Sequence, residues 1–580
     1  MKPSIYQQRV IDWLLNGSGV AAVVNSVAGS GKSTLLKLAA EAIEEQGKLK
    51  ISRDCLVLVF NKKNAKTLID KLGPNWRGSI STVHSAGYRD LRRYLGGQKL
   101  IVETDKYRKI AKGLDWFNGS KPKEEKPISL AAFVDLADFV RQTMCTLELD
   151  RLRHTIDHYA LDIPTKHLEQ VADRLRLVFS TGISLAYNQL IIDHTDMLWL
   201  PVTWNFRSWS GIRTIKVLFV DEAQDISRLQ LEFILSLSGS IDKELFVGDP
   251  AQSINGFCGA DTDSFSNIKH QLNAAEFVLP TCYRCPTSHI ETINRLYPDI
   301  PIEPKQGASV GRIETITERD LWSDGEAKLK PGDLIVARKT ASLVELHLKL
   351  ICHNISAHLV GSSLKQRLLD LMGEIYETVE AEDDSYQAFV RQTESYLERK
   401  LKLYEDRDDL ALLELNLKDN LKALQAIFKQ CKCSTQIELE EAIESLFGKE
   451  SSNCVMLSTI HRAKGMEAAR VYIADPLSLP LMWEGQKQWQ MQQENNLLYV
   501  ALSRSTDSMF LIGDAFWYDN PVEFAGSQSS QNPKTEPGSS LSQMITTASN
   551  DELEKTIELI KQEQARRVAR SFQNAFESAS

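Results

Sequence analysis

No stretch of the 580-residue chain approaches the ~20 consecutive apolar residues that a membrane span needs, and runs such as Val20–Val24 are short. No basic segment followed by an apolar one opens the chain, so no secretory signal is expected. Cysteine is scarce and odd in number, at nine residues, which argues against a disulfide scaffold. Neither sign of charge dominates: 68 Lys and Arg stand against 77 Asp and Glu, a net charge of −9. Nucleic-acid binding would therefore need a local basic channel, not a global positive field. What is present is an ordinary globular composition, with 43% hydrophobic and 25% charged residues. Disorder along the whole length and coiled-coil rods are excluded. At ~150 residues per domain the length suggests roughly four structural units. A soluble, cytoplasmic protein with no membrane partner is expected.

Apolar strands alternate with helical segments in the first part of the chain. Val20–Ser26 reads as a buried strand, followed by a Gly-rich turn and a helix from Lys32 to about Glu45. Cys55–Phe60, Val217–Val220 and Glu244–Val247 are further strands. This pattern predicts a mainly parallel α/β sheet with ligands at the carboxyl ends of its strands. A second α/β region is expected from near Phe277, with strands at Leu334–Ala337, Val455–Ser458, Val471–Ala474 and Met509–Ile512. Each region carries a charged, Leu-rich helical insertion. The expected order is a first core over 1–87 and 206–275 with an insertion at 88–205, then a second core over 276–362 and 452–520 with an insertion at 363–451. Residues 521–550, rich in Ser, Gln, Pro and Gly, read as a flexible linker, and 551–580 as an amphipathic helix. That helix either packs on its own domain or docks a protein partner.

Ser26-Val-Ala-Gly-Ser-Gly-Lys-Ser33 lies between a predicted strand and a predicted helix, the context a P-loop requires. Ala28, Gly29, Ser30, Gly31, Lys32, Ser33 and Thr34 make up the expected phosphate cradle. The two glycines let the backbone approach phosphate, and the helix N-terminus favours its charge. Lys32 would bridge the β- and γ-phosphates and Ser33 would hold Mg²⁺. Ser26 stands where the motif has glycine; only a small residue is needed there. Phe219-Val-Asp-Glu-Ala-Gln-Asp225 ends a strand. Asp221 can coordinate Mg²⁺ and Glu222 can act as general base toward the attacking water. Adjacent carboxylates at a strand end can also be a helix cap, but with a P-loop upstream they point to an NTP-hydrolysing core using ATP and Mg²⁺.

The P-loop, the Asp-Glu-Ala-Gln-Asp box and a second α/β core together resemble the UvrD/Rep/PcrA family of superfamily 1 DNA helicases, over about residues 5–515 outside the insertions. The resemblance implies two RecA-like cores. It implies that Gln7 reads adenine, with Gln8 as competitor, and that Tyr283 stacks on the base while Glu467 contacts the ribose. Gln252, in Val247-Gly-Asp-Pro-Ala-Gln-Ser-Ile254, would sense the γ-phosphate. Arg284 and Arg504 would act as arginine fingers. Phe60 and Asn61, Thr82 and His84, Phe257, Arg338, and Thr459 and His461 would contact DNA. Phe60 could equally be a core residue, and His84 a structural one. Asn255 and Cys258 replace a Tyr and an Arg of the family pattern, which removes one stacking and one charged contact from that segment. Asp193–Leu200 resembles an acidic-apolar segment of the family, and equally reads as helix–sheet packing.

The resemblance implies an ATP-dependent helicase or translocase on single-stranded DNA and single-strand/duplex junctions, moving 3′→5′, in repair, recombination or replication. The alternative is a translocase that strips proteins from DNA, or serves a larger complex, with little unwinding. Cys282/Cys285 and Cys431/Cys433 are the close cysteine pairs. Neither has the spacing of a strong zinc site, so free thiols are expected, the first pair beside the nucleotide.

Overall fold

The structure, a computed structural model, describes residues 2–117, 128–159, 161, 163, 167–206, 215–237, 241–254, 264–379, 383–404, 410–447 and 453–519. The expected linker and C-terminal helix, and Asn255, Phe257 and Cys258, lie outside the described residues. Among the described residues no helix is long and apolar enough to cross a membrane.

Two six-stranded sheets organise the chain. The first holds β1 (Ala21–Ser26), β2 (Cys55–Val59), β3 (Ile80–Thr82), β4 (Val217–Asp221), β5 (Lys243–Gly248) and β6 (Ala275–Leu279), in the order β3-β2-β4-β5-β1-β6. Every pairing in it is parallel. Both faces are covered, as a parallel sheet requires. Alternation along each strand divides the core in two. Ala22 and Val24 of β1, with Val57 of β2, pack with Val10, Leu14, Leu35 and Leu36 on one face. Ala21 and Val23, with Leu56 and Leu58, pack with Leu229 and Phe233 on the other. The strand through Phe277 pairs with β1, Val24 opposite Phe277, and belongs to the first sheet. The expected boundary at 276 therefore falls inside β6. Its half-exposed, alternating pattern is that of an edge strand, not of a new core.

The second sheet holds β7 (Arg312–Ile316), β8 (Leu334–Ala337), β9 (Ala357–Leu359), β10 (Val455–Thr459), β11 (Ala468–Ala474) and β12 (Ser505–Ile512), in the order β7-β12-β11-β8-β10-β9, again all parallel. The two insertions differ in kind. The first, with helices Lys106–Lys112, Leu130–Gln142, Leu149–His158 and Leu168–Gln189, has its own core around Phe133, Leu136, Leu152, Leu175 and Val178. The second, with helices Ser362–Thr378, Tyr386–Leu403, Leu410–Gln430 and Gln436–Leu446, does not: Leu368, Phe389, Leu424 and Ile443 share one cluster with Ile335, Val344 and Leu457 of the second sheet layer.

Asp193 and Asp196 do more than pack a helix on a sheet. Asp196 is fully buried and accepts hydrogen bonds from Lys106 Nζ at 2.5 Å, Tyr107 Oη at 2.9 Å and Arg141 Nη1 at 3.0 Å. Arg141 also grips Asp193 at 2.7 Å, and its guanidinium lies 3.8 Å from the Tyr107 ring centre. These bonds tie the first insertion to the segment that re-enters the first core. Removing one partner strands the others in a low-dielectric interior. Asp196→Ala is expected to lower unfolding free energy by about 3–5 kcal/mol, read from urea denaturation of the full chain; a loss under about 1 kcal/mol would mean the network is not structural.

Candidate nucleotide site and nucleic-acid face

The carboxyl ends of β1, β4 and β5 bring the P-loop, the acidic box and Asp249 to one edge. Asp221 is in register with Val247, and Asn25 with Gly248. Ser26 Oγ donates to the Gly248 carbonyl at 2.6 Å, so the residue that departs from the motif ties two of these strand ends together. Gly29 and Gly31 have φ of 68° and 82°, a region open to glycine. A Cβ on Gly29 would lie 2.6 Å from Arg284 Cβ, and one on Gly31 would lie 3.4 Å from Gln7 Nε2. The structure thus sets Gln7, buried, beside the loop. Gln8 is exposed and donates to Asp12 at 2.8 Å.

Charge inside this edge is balanced around one cation. Lys32 Nζ lies 3.5 Å from Glu222 Oε2. Burial opposes the Lys32 charge, but Glu222, Asp249 and Asp221 outweigh it and raise its pKa. Burial also opposes ionisation of Glu222, yet Lys32, Lys464 and the Gln224 amide hold it at about 2. Asp221 is pushed up to about 7 by burial and by the Glu222 carboxylate. Burial pushes Asp249 to about 6. Of the adjacent pair, Glu222 carries the charge and Asp221 tends to hold a proton. Glu222 sits at φ 55°, ψ 45°, a left-handed conformation unusual for a residue with a side chain. Strain of this kind persists only where neighbours over-determine it. Here Gln224 Nε2 donates to Glu222 at 2.8 Å, while Gln224 Oε1 accepts from Asp249 N at 2.9 Å.

A cleft of about 800 Å³ runs along this edge, and Gly29–Thr34, Glu222, Gln252, Tyr283, Arg284, Glu467 and Arg504 all line it. Tyr283 is 46% exposed, open for a stacking partner. Arg284 Nε pairs with Glu467 at 2.7 Å, and its Nη1 donates to the Ser503 carbonyl at 3.3 Å. Arg504 is buried; burial and then the nearby Arg284 charge bring its pKa down to about 10. Its guanidinium is held by the Val500 and Met466 carbonyls and Ser503 Oγ, with no carboxylate partner among the described residues. Gln252 donates to Asp249 Oδ2 at 2.6 Å. Ser33 and Asp221 offer hard oxygen donors. That set is small, as suits Mg²⁺, which takes one or two protein oxygens and relies on substrate phosphates for the rest.

The residues expected on DNA divide. Phe60, Asn61 and His461 line the same cleft, and Phe60 is 41% exposed, not a core side chain. Burial, then Arg338 and Arg367, bring His461 down to about 3, so its ring is neutral at physiological pH. Asn61 and Thr82 also cap helices, accepting from the Asn64 and Ser85 amides at 2.8 and 3.1 Å. His84 is lowered by burial and by His194, at the first insertion's edge. Thr459 ends β10 at the N-cap position of the short helix after it, and its side chain makes no capping bond there. Arg338 does not face an open groove: its Nε and Nη2 grip the buried Glu494, at 2.8 and 2.5 Å. Its position at the end of β8, beside the end of β10, is as expected from sequence, but its guanidinium is committed within the protein.

Several residues with no expected role bind the two cores together. The helix Gln488–Leu502 presents Gln493, Asn496 and Tyr499 to the first core. Gln493 Nε2 donates to the Ile254 carbonyl at 2.5 Å and Asn496 Nδ2 to the Ser253 carbonyl at 2.8 Å. Tyr499 Oη accepts from the P-loop amide of Ala28 at 2.9 Å and donates to Asp249 at 3.3 Å. Lys464 reaches Asp225 and the Gln252 carbonyl. The sequence signal was present: polar residues three apart, on a helix buried nearly all round, mark a face that must find partners. Tyr499→Phe leaves the buried Ala28 amide unpaired, a penalty of ~1–3 kcal/mol. It is expected to lower kcat/KM for ATP about ten-fold, measured in a steady-state phosphate-release assay; an unchanged value would show that the bond does not contribute to the pocket.

Sequence comparison agrees with this geometry. The UvrD/REP helicase N-terminal domain matches residues 14–273, and the UvrD-like helicase C-terminal domain matches residues 455–512. The chain is similar to a probable DNA helicase II homolog of Mycoplasma capricolum subsp. capricolum, 24% identical over 86% of this chain and 84% of the relative. It is also similar to F-box DNA helicase 1 of Gallus gallus, 24% identical over 51% of this chain and 28% of the relative. A probable DNA helicase II homolog of Mycoplasma pneumoniae is 24% identical over 48% of this chain and 40% of the relative. Two family domains in the expected order, around a P-loop and an acidic box at strand ends on either side of β5, place the chain: it belongs to the UvrD/Rep-like superfamily 1 DNA helicases, which are ATP-dependent enzymes.

Proposed function

We propose that the chain is a motor that moves 3′→5′ on single-stranded DNA and separates duplex DNA ahead of it, in repair, recombination or replication. The observation that carries the reading is the shared cleft: the P-loop, both arginines, Phe60, Asn61 and His461 line one continuous space between two parallel sheets. The 3′→5′ polarity and the pathways rest on the family alone.

In this reading Lys32 and the amides of Gly29–Thr34 bind the triphosphate, Tyr283 stacks on the base and Gln7 reads it. The bound Mg²⁺ would neutralise phosphate charge, with Ser33 and Asp221 as its protein donors. To serve as a donor Asp221 must release its proton, which the added positive charge favours. Glu222, ionised and aimed by Gln224, orients the attacking water and accepts its proton. Arg504, buried without a carboxylate, offers an uncompensated positive charge to the γ-phosphoryl group as negative charge develops. Arg284 stands on the same side and exchanges Glu467 for phosphate.

Coupling to DNA follows from the segment Asp249–Ile254. Gln252 faces the nucleotide, while the carbonyls of Gln252, Ser253 and Ile254 are gripped by Lys464, Asn496 and Gln493 of the second core. A γ-phosphate contact that shifts Gln252 therefore shifts what the second core holds. Closure is stabilised only by contacts that differ between ATP and its products. Opening one base-pair step costs on average ~1.4 kcal/mol, a small load per ATP.

The deciding assay is ATP hydrolysis with and without single-stranded DNA, with single-stranded RNA alongside, followed by tailed duplexes. DNA is expected to stimulate hydrolysis strongly. Lys32→Ala is expected to lower kcat by about 10²–10³-fold and Arg504→Ala by about 10³-fold or more. A 3′-tailed duplex should be unwound and a 5′-tailed one should not. Hydrolysis indifferent to DNA would sink the motor reading for this chain. Translocation without strand separation would instead favour a motor that strips proteins from DNA.

A further inference from the structure

Cys282 and Cys285 are buried free thiols that bracket Tyr283 and Arg284, and the proposed mechanism uses neither. Their surroundings are close-set. The Cys285 amide donates to Cys282 Sγ at 3.3 Å. The Cys285 thiol lies 3.7 Å from the Ser503 carbonyl, the same oxygen that accepts from Arg284. On the other side, Tyr283 N donates to the Gly29 carbonyl at 2.9 Å, and a Cβ built on Gly29 would come within 3.1 Å of Cys282 Sγ. The two thiols therefore sit in the joint where the P-loop, Arg284 and the segment Ser503–Arg504 meet.

We propose that Cys282 and Cys285 form a reversible disulfide under hydrogen peroxide and that this bond switches ATP hydrolysis off. The proposal rests on the nucleotide-site reading above. Three observations support it. First, the pair is within reach: an atom of the Cys285 backbone already touches Cys282 Sγ, so a rotation about the Cys285 Cα–Cβ bond swings its sulfur from Ser503 to Cys282. Second, the cleft comes up to the pair: Gly29, Arg284 and Cys285 form part of its wall, and Cys282, fully buried, lies directly behind Gly29. Third, the two thiols are electronically unlike. A hydrogen bond from Cys285, against the effect of burial, holds Cys282 well below the usual thiol range, while the same bond and burial push Cys285 up. An attacking thiolate beside a protonated resolving thiol is the arrangement that disulfide formation uses. The competing use of a C-x-x-C pair is metal binding, and no group of three or more ligating side chains occurs among the described residues.

The chemistry balances. The Cys282 thiolate attacks one peroxide oxygen, the O–O bond breaks and hydroxide leaves, giving a sulfenic acid. The Cys285 sulfur then attacks the Cys282 sulfur, the S–O bond breaks and water leaves. Two thiols have lost two electrons and two protons, and peroxide has been reduced to two waters. The consequence is mechanical. Closing this ring pulls the Cys285 sulfur off the Ser503 carbonyl and draws in the loop that carries Arg284. Gly29 leaves no slack, so the displacement passes to the arginine and the P-loop. A shift of about 1 Å at such a site costs up to ~10²-fold in rate.

The full chain, reduced and then treated with peroxide, is assayed for DNA-stimulated ATP hydrolysis and digested for peptide mass. A Cys282–Cys285 crosslink about 2 Da lighter than the two thiols is expected, with hydrolysis lowered about ten- to hundred-fold and restored by dithiothreitol. Cys282→Ser and Cys285→Ser, each compared with its own reduced rate, should resist peroxide. The switch is overturned if the crosslink forms and the rate holds. It is equally overturned if the rate falls with both thiols intact and the serine variants are as sensitive as the parent. The reduced enzyme's rate reports on the ATPase reading separately, and the peptide mass reports on the bond whether or not that reading stands.

Discussion

One short segment, Gly248–Ile254, bears the weight of both halves of this protein. It leaves the carboxyl end of β5, next to the P-loop strand, and its first residue accepts the Ser26 hydroxyl. Asp249 then turns inward, where Gln252, Tyr499 and the Gln224 side chain meet its carboxylate and amide. The carbonyls of Pro250, Gln252, Ser253 and Ile254 are gripped by Asn496, Lys464 and Gln493 of the second core. The backbone of this segment thus addresses the second core, and of its side chains Asp249 does so too, through Tyr499. No residue substitution alters a carbonyl, so through those carbonyls the second core reads the position of this segment and not its composition.

Electrostatics explains why the edge is built with so many carboxylates. Asp221, Glu222 and Asp249 surround Lys32 in a space largely closed to water, where three negative charges on one cation would be costly. The fold resolves this by division. Glu222, gripped by Lys32, Lys464 and Gln224, stays ionised, and burial leaves Asp221 and Asp249 closer to neutral. On the facing wall Arg504 is the reverse: a buried cation with no carboxylate partner among the described residues. An anion entering the cleft meets a wall already prepared for it, and the desolvation cost is borne in folding, not at the moment of reaction.

Much of this was legible in the sequence, and the exceptions have physical reasons. The P-loop and the acidic box are local: a strand, a few small residues and a helix start specify them, and the structure sets them at the same edge of one sheet, on either side of β5. Gln7 and Gln8 could not be told apart by pattern, because only packing beside Gly31 separates them. The strand Ala275–Leu279 was assigned to the wrong sheet, since an edge strand carries no mark of the neighbour it will pair with. The resemblance puts Arg338 on DNA, and nothing in its own segment announces Glu494, 156 positions later. Glu494, Gln493, Asn496 and Tyr499 went unread for a related reason. In a helix that is mostly buried, polar residues gain meaning only from the surface opposite, and that surface lies 156 to 471 positions away in the chain.

The character of that inter-core contact bears on how a motor can work at all. Had the helix Gln488–Leu502 met the first core through leucines, separating the cores would expose apolar surface at about 25 cal/mol per Å², and a modest patch would outweigh the few kcal/mol that differential nucleotide contacts supply. Among the described residues Gln493 and Asn496 instead bond carbonyls of the first core, and Tyr499 the Ala28 amide and Asp249; each such bond is worth a net ~0.5–1.5 kcal/mol because water can replace it. A handful of such bonds gives a closed state that is well defined in geometry and only slightly favoured in energy. In the motor proposed above, loss of a γ-phosphate contact is then enough to tip the balance between closed and open cores.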